Sequence, residues 1–287
     1  MELPIAFLKK VYDIFPPKNC LTDKAECLGY SYDNSRYQFL PDLVCLGETH
    51  QQIVHLILLC NEFKVPLTVR GRGTNTTGAA IPMLGGLVLS LERMHRILFF
   101  DPPNRSITVE SGVLNQTVQD HVKTSGFFWG PDPTSSAYSS VGGNLACNAG
   151  GPRALKYGAC RENVLALKAV TGAGKTIETG FYTSKYSVGY DLTRLLVGSE
   201  GTLAVITEAT LKLTPLPPCI FTFVAYFSTE FDTATAVLRL MQMPETPYSL
   251  ELMDGQCLSR LKPASHLNIP AQAQGFLLIE MAGTALQ

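Results

Sequence analysis

The sequence predicts an α+β fold, on three observations. A helical pattern over 48–63 leads into an apolar run, a glycine-rich loop and a second apolar run ending at Leu91, the order of a small, mostly parallel sheet over about 41–95. From about 96 to 218, short strand-like runs alternate with tight turns, the order of a larger antiparallel sheet carrying helices. Of the 24 glycines, 19 fall between Gly71 and Gly201, so the middle of the chain is built to bring backbone close to something.

The bulk properties narrow the class. The 287 residues are enough for one large domain or two ordinary ones. Only 16% of them are charged, against about 25% in an average domain, and 46% are hydrophobic, which excludes disorder and implies extensive buried surface. With 23 Lys and Arg against 24 Asp and Glu, the formal charge of −1 offers nothing to a nucleic-acid backbone. Eight cysteines at 20, 27, 45, 60, 147, 160, 219 and 257 form no C-x-x-C pair and read as reduced thiols, mostly core filler. The start places Lys9-Lys10 after its apolar stretch, a poor secretory signal, and runs such as Ile53 to Cys60 stop short of the roughly 18 residues of a spanning helix. The expected location is cytoplasmic, at most peripheral to the inner face of a membrane.

The elements follow in chain order. Residues 1–40 form an N-terminal helical or extended segment. Ile53, Leu56, Ile57, Leu59 and Cys60 recur at helical spacing, with Thr49 placed to cap the helix. Val65 to Val69 and Gly86 to Leu91 read as strands around the turn-rich loop from Arg70 to Gly78. Ile97 to Asp101 and Ser106 to Ser111 form a hairpin through Pro102-Pro103-Asn104, and Asn115 to Thr124 resumes helical spacing. Gly130 to Gly151, rich in Gly, Ser, Pro and Asn, is too polar for core and too long for a turn, so it is expected to be a ligand-binding loop. A second hairpin spans Val164 to Thr179, Asp191 caps a short helix, and Ala204 to Thr214 alternates as a strand. Pro215-Leu216-Pro217-Pro218 marks a boundary between a domain at 41–218 and a partial one at 219–287. In the latter, Ile220 to Phe227 and Phe276 to Glu280 read as strands and Thr233 to Met243 as a helix.

Several familiar signatures are ruled out. Gly174-Lys175-Thr176 fails as a phosphate-binding loop because Ala169 stands where the first glycine is required, and the segment lies inside a hairpin. His50, His55, His95, His121 and His266 form no metal-ligand spacing, so no metal site is expected. No G-x-S-x-G elbow is present.

What remains is a set of loops with one chemistry. Gly71 and Gly73, followed by small hydroxyl and amide residues, line up backbone N–H groups with little bulk in the way, an anion cradle suited to a pyrophosphate. The stretches Pro131 to Ser136, Val141 to Asn144 and Asn148 to Gly151 repeat that chemistry, and Gly198-Ser199-Glu200-Gly201-Thr202 repeats it again. Three separate cradles suit a dinucleotide better than a small metabolite.

Arg70 to Gly78 with Pro82, Pro131-Asp132-Pro133, Val141-Gly142-Gly143-Asn144, Asn148-Ala149-Gly150-Gly151 with Lys156-Tyr157-Gly158, Gly189-Tyr190-Asp191-Leu192 and Gly198 to Leu203 carry a resemblance in order and spacing. The chain resembles the FAD-binding (PCMH-type) flavoproteins of the vanillyl-alcohol oxidase family, and within them the FAD subunit of glycolate oxidase and the D-lactate dehydrogenases. The likeness runs from about Tyr30 to Pro218 and continues more weakly over Leu250 to Asp254.

The resemblance implies an FAD-binding domain of two subdomains followed by the start of an incomplete α+β substrate, or cap, domain. Gly71, Arg72, Gly73, Thr74 and Asn75 would hold the pyrophosphate. Pro131, Asp132, Ser135, Gly142, Gly143 and Asn144 would lie along the ribityl and flavin, with Asn148 and Gly151 continuing that wall. Glu200, Gly201 and Ile206 would meet the adenosine end. Relatives that tether the flavin covalently through the first loop carry a His near the place of Thr74, so a non-covalent FAD is implied here. The chemistry implied is oxidation of a small 2-hydroxy acid, glycolate or D-lactate, by hydride transfer to flavin N5, with electrons passed to a partner subunit or carrier. In similar enzymes the base, the carboxylate-binding Arg and any divalent metal come from a region that would follow residue 287, and no histidine here lies in a matching motif. The chain therefore reads as C-terminally truncated, as shortened by a frameshift or premature stop, or as one half of a split enzyme. A non-catalytic FAD-binding fragment or subunit is the alternative.

Overall fold

A computed structural model describes residues 3–183, 185, 187–264 and 268–284. Met1 and Glu2 of the start, His266 and the final Gln287 lie outside the described residues.

The N-terminal segment supplies helix α1 (Ile5–Ile14), strand β1 (Cys20–Leu21) and helix α2 (Lys24–Leu28). Strand β2 (Leu43–Leu46), helix α3 (His50–Phe63), strand β3 (Leu67–Arg70) and strand β4 (Leu87–Ser90) follow. They form a four-stranded sheet in the order β1-β2-β4-β3, parallel throughout except for β1. Both β2 and β4 are buried along their whole length, which is why Leu43 to Leu46 reads as a continuous apolar run rather than an alternating one. Helix α3 begins where expected: Thr49 accepts the Gln52 N–H at 3.3 Å while the Gln52 side chain accepts the Thr49 N–H at 3.1 Å. Its stripe Ile53, Leu56, Ile57, Leu59 and Cys60 packs with Phe7 and Val11 of α1, and with Phe15 just after it, over the sheet.

The second sheet is antiparallel. Strands β5 (Ile97–Asp101) and β6 (Ser106–Glu110) lead to helix α4 (Asn115–Lys123) and strand β7 (Phe127–Trp129). The stretch expected to be a loop contains a short helix, α5 (Val141–Ala146), capped by Ser140, and α6 (Ala154–Tyr157) follows it. Strands β8 (Val164–Thr171) and β9 (Thr176–Gly180), helix α7 (Leu192–Leu196) and the long strand β10 (Ala204–Pro215) complete the order β5-β6-β10-β8-β9, with β7 paired to the far end of β10. The pairing of β10 with β8 skips Thr207 between Ile206 and Glu208, a bulge that turns the strand locally. Trp129, fully buried, anchors this core and donates its indole N–H to the Asn163 carbonyl at 2.8 Å. Val170 and Val205 cross from this sheet into the core of the first, which holds the two together.

A third sheet of β11 (Cys219–Phe227), β12 (Ser249–Asp254) and β13 (Gly275–Gly283) has the order β11-β13-β12, with helices α8 (Glu230–Met241) and α9 (Gly255–Leu261) alongside. Its own core is small, built on Leu258, Ala273 and Phe276.

Candidate functional site

The loop after β3, helix α5 and the turn into β10 converge on a cavity of about 330 Å³. Twelve of the residues singled out in the sequence line it: Gly71, Arg72, Gly73, Thr74 and Asn75 on one side, Gly142, Gly143 and Asn144 of α5 on another, with Ser135, Glu200, Gly201 and Ile206. Apolar side chains of Val69, Leu91, Val205 and Ile206 form part of the wall.

Close approach explains the glycines. A Cβ on Gly71 would stand 2.5 Å from Ser140 Oγ, so the first loop can touch the start of α5 only without a side chain. Gly73 has φ +66° and its missing Cβ leaves room for the Arg70 guanidinium, which would otherwise collide with it. Arg70 is buried and donates to the carbonyls of Tyr32 at 2.7 Å, Gly29 at 3.3 Å and Ala80 at 3.4 Å, tying the loop to the N-terminal segment.

The backbone polarity of this loop is one-sided. The carbonyls of Thr74 and Asn75 accept from the side-chain and backbone N–H groups of Asn34, at 3.1 and 3.0 Å. Among the described residues, no N–H from Gly71 to Asn75 has a protein acceptor. Consecutive unused donors of this kind attract an anion. Beside them Arg72 Nη1 reaches Glu92 at 3.2 Å, and the Tyr30 hydroxyl donates to the same carboxylate at 2.9 Å. Burial first, and then the Glu92 bond, push the Tyr30 phenol up to about 12, so it stays a neutral donor.

On the α5 side, Gly142 donates its N–H to the Ser111 carbonyl at 2.7 Å, and a Cβ there would stand 2.5 Å from Ser111 Cβ. The buried Asn144 side chain donates to Asn115 Oδ1 at 3.2 Å, and Asn115 donates in turn to Ser136 Oγ at 2.7 Å. Asn115 braces two walls of the site, a role that its place at the start of a helix gave no sign of. Glu200 and Gly201 form a left-handed turn, φ 52° and 77°, held to α5 by the Glu200 N–H on the Ala146 carbonyl at 2.9 Å.

Pro131, Asp132, Asn148 and Gly151 do not line the cavity. Their polar groups are already taken: Asp132 pairs with Arg153 at 3.1 Å, the Pro131 carbonyl accepts from Asn115 and Gln119, and Asn148 Oδ1 accepts the Arg161 N–H at 2.9 Å. Gly151, at φ +129°, lies so close to the Asp132 carbonyl that no Cβ could fit. These four shape the wall from behind. The sequence reading missed Ser111, Leu91 and Cys147, which do line it. Burial, then the nearby Glu200, raise the Cys147 thiol above its ordinary value.

Elsewhere, Lys175 lies in the β8–β9 turn, and His55, His95 and His121 are exposed. His50 is half-buried and bridges Thr207 Oγ1 and Thr176 Oγ1, each at 2.8 Å. Among the described residues, no three of His, Cys, Asp and Glu stand together as a metal site, and no helix is long and apolar enough to cross a membrane.

The cavity fits an FAD: it is lined by Gly71 to Asn75, whose N–H groups have no protein acceptor among the described residues and suit a pyrophosphate, and apolar walls flank them. The family described as FAD binding domain matches residues 41–180. Residues 41–180 thus carry an FAD-binding domain, and the chain is similar to glycolate oxidase subunits and D-lactate dehydrogenases. It is 38% identical over 276 residues to the glycolate oxidase subunit GlcD of Bacillus subtilis, covering 96% of this chain and 59% of that one. It is 36% identical over 214 residues to a D-lactate dehydrogenase of Anaerostipes hadrus, covering 75% of this chain and 45% of the other. Among solved structures, p-cresol methylhydroxylase with substrate bound superposes over 99% of this chain and 62% of its own, with a TM-score of 0.82 at 18% identity, a likeness of fold alone. The chain thus spans about half the length of these relatives.

Proposed function

We propose that this chain oxidises a small 2-hydroxy acid, glycolate or D-lactate, to the 2-oxo acid and passes the electrons to a partner subunit or carrier. The observation that carries the reading is the one-sided loop of Gly71 to Asn75, which lines the cavity and whose N–H groups have no protein acceptor among the described residues. The names of the relatives, glycolate oxidase subunit and D-lactate dehydrogenase, support the substrate class. FAD supplies a two-electron acceptor when bound. The chain's own part is to fix it: the 71–75 donors take its phosphates, α5 and the 200–201 turn close around it, and the apolar wall excludes water. Unpaired cysteines, five of them buried, accompany a proposed cytoplasmic location.

Among the described residues no histidine lines the cavity, and its charged lining groups are Arg72 and Glu200. That favours a second reading, an FAD-binding chain whose proton acceptor comes from another polypeptide. One experiment separates the two. The purified, FAD-loaded chain is mixed anaerobically with glycolate or D-lactate and the flavin absorbance followed; bleaching by either acid is the expected result. A flavin that stays oxidised with both acids would sink the first reading and leave the second.

A further inference from the structure

We propose that Asp33 is a positioning residue for FAD: its carboxylate locks the Asn75 side chain and so holds the loop of Gly71 to Asn75 in the form that leaves its N–H groups to the cofactor. The inference rests on the FAD-binding assignment and not on the substrate class. Asp33 stands outside residues 41–180, the part of the chain that the FAD-binding family matches.

Asp33 is 5% exposed, and a carboxylate is buried at little cost only when its oxygens are bonded. Both are. Oδ1 accepts the Ser35 N–H at 2.8 Å, which closes a local turn, and Oδ2 accepts from Asn75 Nδ2 at 2.7 Å, 42 residues further along the chain. The Asn75 amide nitrogen also donates to Thr77 Oγ1 at 3.1 Å. A carboxylate only accepts, so Asp33 fixes which end of the Asn75 amide it meets.

The next residue completes the grip. Asn34 donates its side-chain amide to the Thr74 carbonyl at 3.1 Å and its backbone N–H to the Asn75 carbonyl at 3.0 Å. A trans peptide unit is planar, with C=O and N–H on opposite sides, so tying the Thr74 carbonyl to Asn34 turns the Asn75 N–H away from it, and tying the Asn75 carbonyl does the same for the Thr76 N–H. Neither N–H has a protein acceptor among the described residues. Asn34 is exposed and its bonds compete with water, whereas the Asp33 bond to Asn75 is charge-assisted and comes from a buried group. Asp33 is therefore the anchor from which Asn34 sets the loop.

The test is a double-mutant cycle on the full chain, with wild type, Asp33→Asn, Asn75→Ala and the double variant stripped of flavin and titrated with FAD by quenching of flavin fluorescence. Asp33→Asn keeps an oxygen for the Ser35 turn but sets an amide against the Asn75 amide, and FAD binding should weaken about tenfold. Asn75→Ala cuts the same bond from the other end and should weaken binding at least as much. In the Asn75→Ala background, Asp33→Asn should change FAD affinity by about twofold or less, because its partner is already gone. A merely structural role would give the same loss in both backgrounds, as would an effect of the Asp33 charge on Arg70, and equal losses would overturn the inference. So would an Asp33→Asn or Asn75→Ala variant that binds FAD as tightly as wild type, or an Asp33→Asn chain that fails to fold. Wild type that takes up no FAD would instead overturn the FAD-binding assignment itself.

Discussion

Gly73 and Gly143 line the same cavity for different reasons. At Gly73 the backbone is left-handed and the Arg70 guanidinium fills the space of a side chain, so Gly73→Ala strains φ and pushes Arg70 off the carbonyls of Tyr32 and Ala80. At Gly143 a Cβ would meet only Ser140 Oγ, at 3.1 Å, with the cavity beyond it. Gly73→Ala is therefore expected to lower the apo melting temperature and the FAD content together. Gly143→Val should keep the apo melting temperature within a few degrees while FAD is lost on gel filtration. Unchanged flavin content in Gly143→Val would contradict the placement of α5 against the cofactor.

Helix α3 shows how an element joins the two sheets. Its capping box at Thr49 and Gln52 was legible from residue types, because a cap needs only near neighbours. The use of His50 was not. The Thr207 hydroxyl spends its proton on the Lys168 carbonyl, so it accepts from His50 Nδ1–H, and His50 Nε2 accepts from Thr176. This neutral ring pins the start of α3 to β9 and β10. Burial, then nearby Lys168, lower its pKa below the ordinary 6.5, against the smaller opposing pull of Glu208 and Glu178. The unfolded chain thus binds a proton at a pH where the folded one does not, and stability must fall as pH drops below about 6.5. Melting curves from pH 7.5 to 5.5 should show this loss, and His50→Gln should flatten it; a parallel slope in the variant would assign the effect to other groups.

At the scale of the whole molecule, the low charge content has a location. Strand β11 is an edge of the third sheet, carries no charged residue from Cys219 to Phe227, and leaves Ile220, Phe221, Phe223 and Val224 at 43–52% exposure. An uncharged edge with unused backbone donors and acceptors invites association with other strands. Light scattering of the isolated chain should rise with concentration, and Phe223→Lys should suppress that rise without lowering the melting temperature. Equal scattering by the variant would point to another surface.

Period and punctuation were enough for the longer elements: the stripe from Ile53 to Cys60, the alternation along Ala204 to Thr214 and the Pro215–Pro218 break are local patterns of side-chain spacing and φ restriction. The anion cradle at Gly71 to Asn75 was equally local, since a run of small residues after a strand has few other uses. Short strands such as β2, β7 and β12 escaped notice, because a run of three to six residues takes its structure from the partner it pairs with. The same limit divides the site. Which residue types could bind a flavin was written in the chain, but which of them face the cavity depended on contacts across long separations. Asp132 and Asn148 spend their side chains on Arg153 and Arg161. Ser111 is held by the Thr207 carbonyl and the Gly142 N–H, both far along the chain. No spacing rule carries that information, because a hydrogen bond is won or lost only once every neighbour is in place.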